Sequence, residues 1–163
     1  MCWRNHFIVS MLFSAVLLLP AGSRAGEVRP FVSGTLARIQ AAHAGRPFIL
    51  AFWSIDCVHC PVELQHLAAL KKAHPELDVV LVATDTPDVA QLVSETVARH
   101  GLGKVEQWVF ADSSSERLRY EIDPHWYGEL PRSYLYDARH RVEATSGVVS
   151  PDRLAQWARR QGR

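Results

Sequence analysis

Fully apolar runs and helix-period apolar positions alternate along most of this chain. Phe48-Ile49-Leu50-Ala51-Phe52-Trp53 is apolar at every position, the pattern of a strand covered on both faces. Leu77–Ala83, with Val79, Val80, Leu81 and Val82, repeats that pattern, and Val105–Phe110 predicts a third strand. Ser33–His43 places Leu36, Ile39, Gln40 and His43 at helical spacing, and Gly45-Arg46-Pro47 stops it. A second helix is predicted from Cys57 to Ala73, with Leu64, Leu67, Ala68 and Lys71 at helical offsets. Pro61 fits there because a first turn tolerates proline. Asp85-Thr86-Pro87-Asp88 reads as a helix start, Val89–His100 as the helix, and Ser115–Tyr120 as a shorter one. Ser133–Asp137 and Arg141–Val149 predict two strands turning at Ala138-Arg139-His140. Ser150-Pro151-Asp152 combines an N-cap, a first-position proline and a first-turn acid, and Leu154, Trp157 and Ala158 form the packing face behind it. Val28–Pro30 reads as an extended lead-in.

This order predicts an α/β fold: a central mixed sheet, mainly parallel, with helices on both faces and a hairpin supplying antiparallel members. Such sheets place their chemistry at strand carboxyl ends. Cys57 lies just beyond the strand that ends at Trp53.

The 163 residues suit one domain plus a short appendage, and 48% apolar with 21% charged residues is globular composition. The appendage is N-terminal. Met1–His6 carries Arg4 and no acid, Phe7–Leu19 is apolar except for Ser10 and Ser14, and Ser23-Arg24-Ala25 offers small residues for cleavage. That is the build of a secretory signal over residues 1–25, leaving a domain over 26–163. The apolar run is shorter than the ~20 residues of a membrane span. The expected location is therefore periplasmic, or membrane-anchored if the segment is retained. A net charge of +1, without a basic stripe, gives no footprint for nucleic acid.

Removing the signal removes Cys2 and leaves two cysteines, three positions apart. A pair so close shuts almost no loop and stabilises little by loop entropy, so its value is chemical. Placed at a helix N-terminus, Cys57 meets unpaired N–H groups and the positive dipole end, which favour thiolate. Cys57 is thus the expected attacking sulfur and Cys60 the resolving one. A structural zinc site needs a second ligand pair, and covalent haem needs histidine after the second cysteine, where Pro61 stands. A reactive dithiol is the preferred reading.

Phe48–Trp53 followed by Ser54-Ile55-Asp56-Cys57-Val58-His59-Cys60-Pro61-Val62-Glu63-Leu64 resembles the active-site segment of thioredoxin-fold proteins, and among them the TlpA/ResA/DsbE-like exported thiol–disulfide oxidoreductases. Gly128-Glu129-Leu130-Pro131-Arg132-Ser133-Tyr134-Leu135-Tyr136-Asp137 resembles the segment in which that group carries a cis-proline. Asp85–His125 is similar to its TlpA-like middle insertion. The resemblance implies that Pro131 is cis and lies against Cys57, that Leu130 offers its backbone to an extended substrate, and that Trp53 packs beneath the disulfide. It implies that Glu63 manages the proton of Cys60; a solvated helix acid is the competing reading. No bound cofactor or metal is implied, since the Cys57–Cys60 disulfide is itself the redox group. The implied partners are protein thiols and disulfides and a membrane redox protein that recycles the pair. The implied role is reduction in cytochrome c or metalloprotein maturation, with a DsbA-like oxidant as the alternative, and the sequence leaves the direction of electron flow open.

Several positions depart from the family pattern. Asp56 stands where an aromatic usually precedes the first cysteine, and its carboxylate opposes a thiolate at Cys57. Ala51 replaces the buried acid of plain thioredoxins. His59 resembles the histidine of DsbA-like oxidants, where imidazolium stabilises the thiolate. Two further readings share the fold. His59, His66 and His125 with the two sulfurs suit copper handling as in Sco-type proteins, although those pairs are spaced one residue wider. Ser54-Ile55-Asp56-Cys57 echoes the peroxiredoxins, but Leu50 stands where their proline belongs.

Overall fold

The computed structural model describes residues 26–162. The signal expected over residues 1–25 lies outside them. Among the described residues, no helix is long and apolar enough to cross a membrane.

Six strands form one sheet: β1 (Val28–Phe31), β2 (Phe48–Trp53), β3 (Asp78–Ala83), β4 (Glu106–Phe110), β5 (Arg132–Tyr136) and β6 (Val142–Ser146), in spatial order β1-β4-β3-β2-β5-β6. The first four run parallel, and β5 and β6 are antiparallel to their neighbours. The helices are α1 (Thr35–Ala42), α2 (Cys60–Ala73), α3 (Ala90–Arg99), α4 (Ser115–Ile122) and α5 (Pro151–Gln161). The expected mixed sheet with helices on both faces is what forms.

Two corrections concern its margins. Val28–Pro30, expected as an extended lead-in outside the sheet, enters it as edge strand β1 beside β4. The helix expected from Asp85 is split into a 3₁₀ turn, Pro87–Val89, and α3. The 85–125 stretch supplies α3, β4 and α4, and β4 sits between β1 and β3.

Alternation along the central strands explains why β2 is apolar throughout. Ile49, Ala51 and Trp53 face one core with Leu64 and Leu67 of α2, Val93 and Val97 of α3, and Leu154 and Trp157 of α5. Phe48, Leu50 and Phe52 face the other, with Ile39 of α1 and Leu118 of α4. Trp53 therefore shares a layer with α2, the helix that carries Cys60.

The cap expected on α5 is present: Ser150 Oγ accepts the Arg153 N–H. Ser150→Ala is expected to cost about 1 kcal/mol. A urea titration checks this, since a lost cap lowers the midpoint and leaves the slope unchanged.

Candidate active site

The chain leaves β2 at Trp53 and makes two tight turns before α2. Cys57 N–H donates to the Ser54 carbonyl (3.2 Å), and Cys60 N–H donates to the Cys57 carbonyl (3.2 Å). The regular helix starts at Cys60, so the expectation that Cys57 opens it is corrected by one turn. Successive i to i+3 turns and a first helical turn have the same local pattern, which is why the sequence does not separate them. Pro61 occupies the first turn as expected.

Cys57 and Cys60 are joined by a disulfide, with Cα atoms 5.4 Å apart. Their environments differ. Cys57 is half-buried, while Cys60 is fully buried in the layer that holds Trp53 and Leu64. Asp56 and His59 are both exposed, and Val58 between the sulfurs is 84% exposed. A partner can approach from the Cys57 side only.

Glu63 is not a solvated acid, for its side chain is 1% exposed. It lies one helical turn beyond Cys60 on the inner face of α2. Its Oε1 accepts the Ser133 hydroxyl of β5 (2.8 Å), and its Oε2 accepts the Val149 N–H (2.7 Å). His66, one further turn along, bonds through Nδ1 to the Val149 carbonyl (2.9 Å). Burial pushes the Glu63 carboxyl above its ordinary value, against the opposing pull of the Ser133 and Val149 bonds and of His66. Ser133 pairs with Ala51 across the sheet. The buried carboxyl that β2 lacks at Ala51 is thus supplied from α2, beside the same strand pair.

Asp85 is a residue that sequence reasoning took only for a helix start. Its carboxylate accepts the Ser54 hydroxyl (3.0 Å) and the Ile55 N–H (3.2 Å). The in-register pairing of β2 with β3, Trp53 opposite Ala83, carries Asp85 to this position. Two apolar runs of equal length, read as parallel and in register, are the signal that could have located it.

The Gly128–Pro131 loop leads into β5. Gly128 has φ +102°, and a Cβ there would meet the Arg119 side chain at 3.4 Å. Trp126 Nε1 donates to the Glu129 carbonyl (3.0 Å), and the Leu130–Pro131 peptide is cis. Pro131 is held from behind by the Gly147 N–H (2.8 Å), and Arg132 by Asp123 (2.6 Å). Leu130 is half-buried and packs against both cores. Trp53, buried to 2%, packs in one cluster with Cys60, and Cys57 lies against that cluster.

The three histidines considered for copper are not brought together. His59 is exposed, His66 is committed to Val149, and His125 stands exposed beside Asp123. Among the described residues, no group of three His, Cys, Asp or Glu side chains is placed to hold a metal ion. What the site assembles is one accessible sulfur, one buried sulfur and a buried carboxyl.

No family model matches the chain. It is 25% identical over 162 residues to sporulation thiol-disulfide oxidoreductase A of Bacillus subtilis, covering 92% of this chain and 93% of that protein. Solved structures similar to it include a secreted Mycobacterium tuberculosis disulfide oxidoreductase homologous to E. coli DsbE. That match has TM-score 0.58 and 20% identity and covers 74% of this chain and 85% of that one. Another is StoA from Bacillus subtilis, with TM-score 0.51 and 22% identity over 71% of this chain and 84% of that one. A thioredoxin family protein from Chlorobium tepidum matches with TM-score 0.59 and 18% identity, over 75% and 83% respectively.

Proposed function

We propose that this thioredoxin-fold thiol–disulfide oxidoreductase works outside the cytoplasm as a reductant of protein disulfides, in the maturation of cytochrome c or another metalloprotein. The observation that carries the reading is the unequal burial of the two sulfurs above a buried carboxyl. In the reduced protein, the Cys57 thiolate attacks a partner disulfide. A bond forms between Cys57 and one partner sulfur, and the other leaves as thiolate. Glu63 takes the proton of Cys60, whose sulfur then attacks Cys57 and releases the second partner thiol. Two electrons pass from the Cys57–Cys60 dithiol to the partner, and the protein is left with its disulfide. A membrane redox protein returns the electrons.

In this reading Trp53 forms the floor under the pair, and Leu130 and Pro131 offer the backbone edge along which an extended partner lies. His59 assists Cys57 by its charge. Residues 1–25 direct export, and 26–163 are the working domain. The placement of the charges supports this direction of electron flow. Asp56 and His59 are both exposed, so water and salt weaken their opposed demands on the thiolate. Glu63 is buried, where added negative charge is most costly. A site that resists negative charge disfavours the dithiolate form and makes the dithiol a reductant.

The reduction potential of the pair tests this, read through Trp53 fluorescence against glutathione buffers. A value near about −270 mV or lower is expected, and a value near about −120 mV would make the protein a DsbA-like oxidant instead.

A further inference from the structure

We infer that Asp85 is a positioning residue for the redox turn, fixing the segment that carries Cys57 and setting a negative charge close to it. This rests on the exchange reading above. Residues 54–59 belong to neither β2 nor α2; the first turn of α2 holds the Cys57 and His59 carbonyls, but not Ser54–Asp56. Within the turn, Cys57 N–H donates to the Ser54 carbonyl and Asp56 N–H to the Ser54 hydroxyl (both 3.2 Å). Among the described residues, the hydrogen bonds that Ser54–Cys57 donate outside their own segment end on the Asp85 carboxylate, from Ser54 Oγ (3.0 Å) and Ile55 N–H (3.2 Å). Thr84, its neighbour, is tied to the last residue of β2 by an N–H bond to the Trp53 carbonyl (2.8 Å). The carboxylate is thus braced by the sheet, and the turn is braced by the carboxylate.

Asp85 is half-buried, and no cation among the described residues forms an ion pair with it. Its charge therefore stands against a thiolate on Cys57, two residues beyond the Ile55 N–H that it accepts. Geometry and charge can be separated by substitution. Asparagine keeps an acceptor for Ile55 N–H and a partner for Ser54 but removes the charge. Alanine removes both.

The test compares wild type, Asp85→Asn and Asp85→Ala in three measurements. These are the exchange rate with a small aromatic disulfide, the thiolate titration of Cys57 by ultraviolet absorbance, and the equilibrium with glutathione. Asp85→Ala is expected to slow exchange about tenfold, since misplacing a reacting atom is costly. Asp85→Asn is expected to restore the rate yet lower the Cys57 titration midpoint and shift the equilibrium roughly threefold towards the dithiol. Ser54→Ala, which removes only the hydroxyl, serves if Asp85→Ala does not fold: slower exchange supports the role, and an unchanged rate overturns it. An active wild type matched by Asp85→Ala in rate, and by Asp85→Asn in titration, overturns the inference and leaves the exchange reading standing. A wild type inert towards disulfides overturns the exchange reading, and this inference with it.

Discussion

Cys57→Ser is expected to abolish disulfide exchange, by on the order of a thousandfold or more, because it removes the only sulfur among the described residues that a partner can reach. Cys57 is half-buried at the mouth of the turn, and Cys60 is closed off at 0% exposure in the core with Leu64 and Trp53. Cys60→Ser removes only the second step. It is expected to keep the first attack on a disulfide at a wild-type rate and to lose turnover. Single-turnover and steady-state kinetics separate the two variants. Equal loss of the first step in both would remove the distinction between attacking and resolving sulfur.

The second large effect is expected at Glu63. Glu63→Gln can keep both hydrogen bonds, its carbonyl accepting from Val149 N–H and its amide donating to Ser133 Oγ, which reverses. It can no longer take a proton. Resolution of the mixed disulfide is expected to slow roughly a hundredfold, the usual scale of one acid–base group, with the first attack little changed. Stability should move the other way. Burial raises the folded-state value of the Glu63 carboxyl above the ordinary 4.5, against the pull of Ser133, Val149 and His66. A raised carboxyl contributes stability that is complete below its unfolded value and is lost as pH rises through the folded one. Wild type should therefore lose stability relative to Glu63→Gln as pH rises from 4.5. Urea midpoints of both proteins at acid and neutral pH check the sign, and a wild type that gains on Glu63→Gln as pH rises contradicts it.

How much of this was legible in the sequence varies by residue. The strand before Cys57 could be read because both faces of β2 are buried, which leaves no polar position from Phe48 to Trp53. Cys57 and Cys60 could be read from their spacing. The start of α2 could not, since the turn 57–60 and a helical turn close over the same residues. Glu63 left a signal that was available: with Cys60, Leu64, Leu67 and Leu70 it occupies the inner stripe of α2. An acid on such a stripe is either displaced or hydrogen-bonded. Its partners, Ser133 and Val149, come from 70 and 86 residues away, which no local pattern encodes. The role of Asp85 is likewise a product of register between two strands. The pairing of β1 with β4 joins residues far apart in the chain, so Val28–Phe31 could be seen only as extended.

The most direct test of the central claim is intact-mass analysis of Cys60→Ala recovered from cells under acid quench. A protein partner joined to Cys57, released by reductant and absent from Cys57→Ser, is expected. An unmodified Cys60→Ala chain that still turns over disulfides would contradict it.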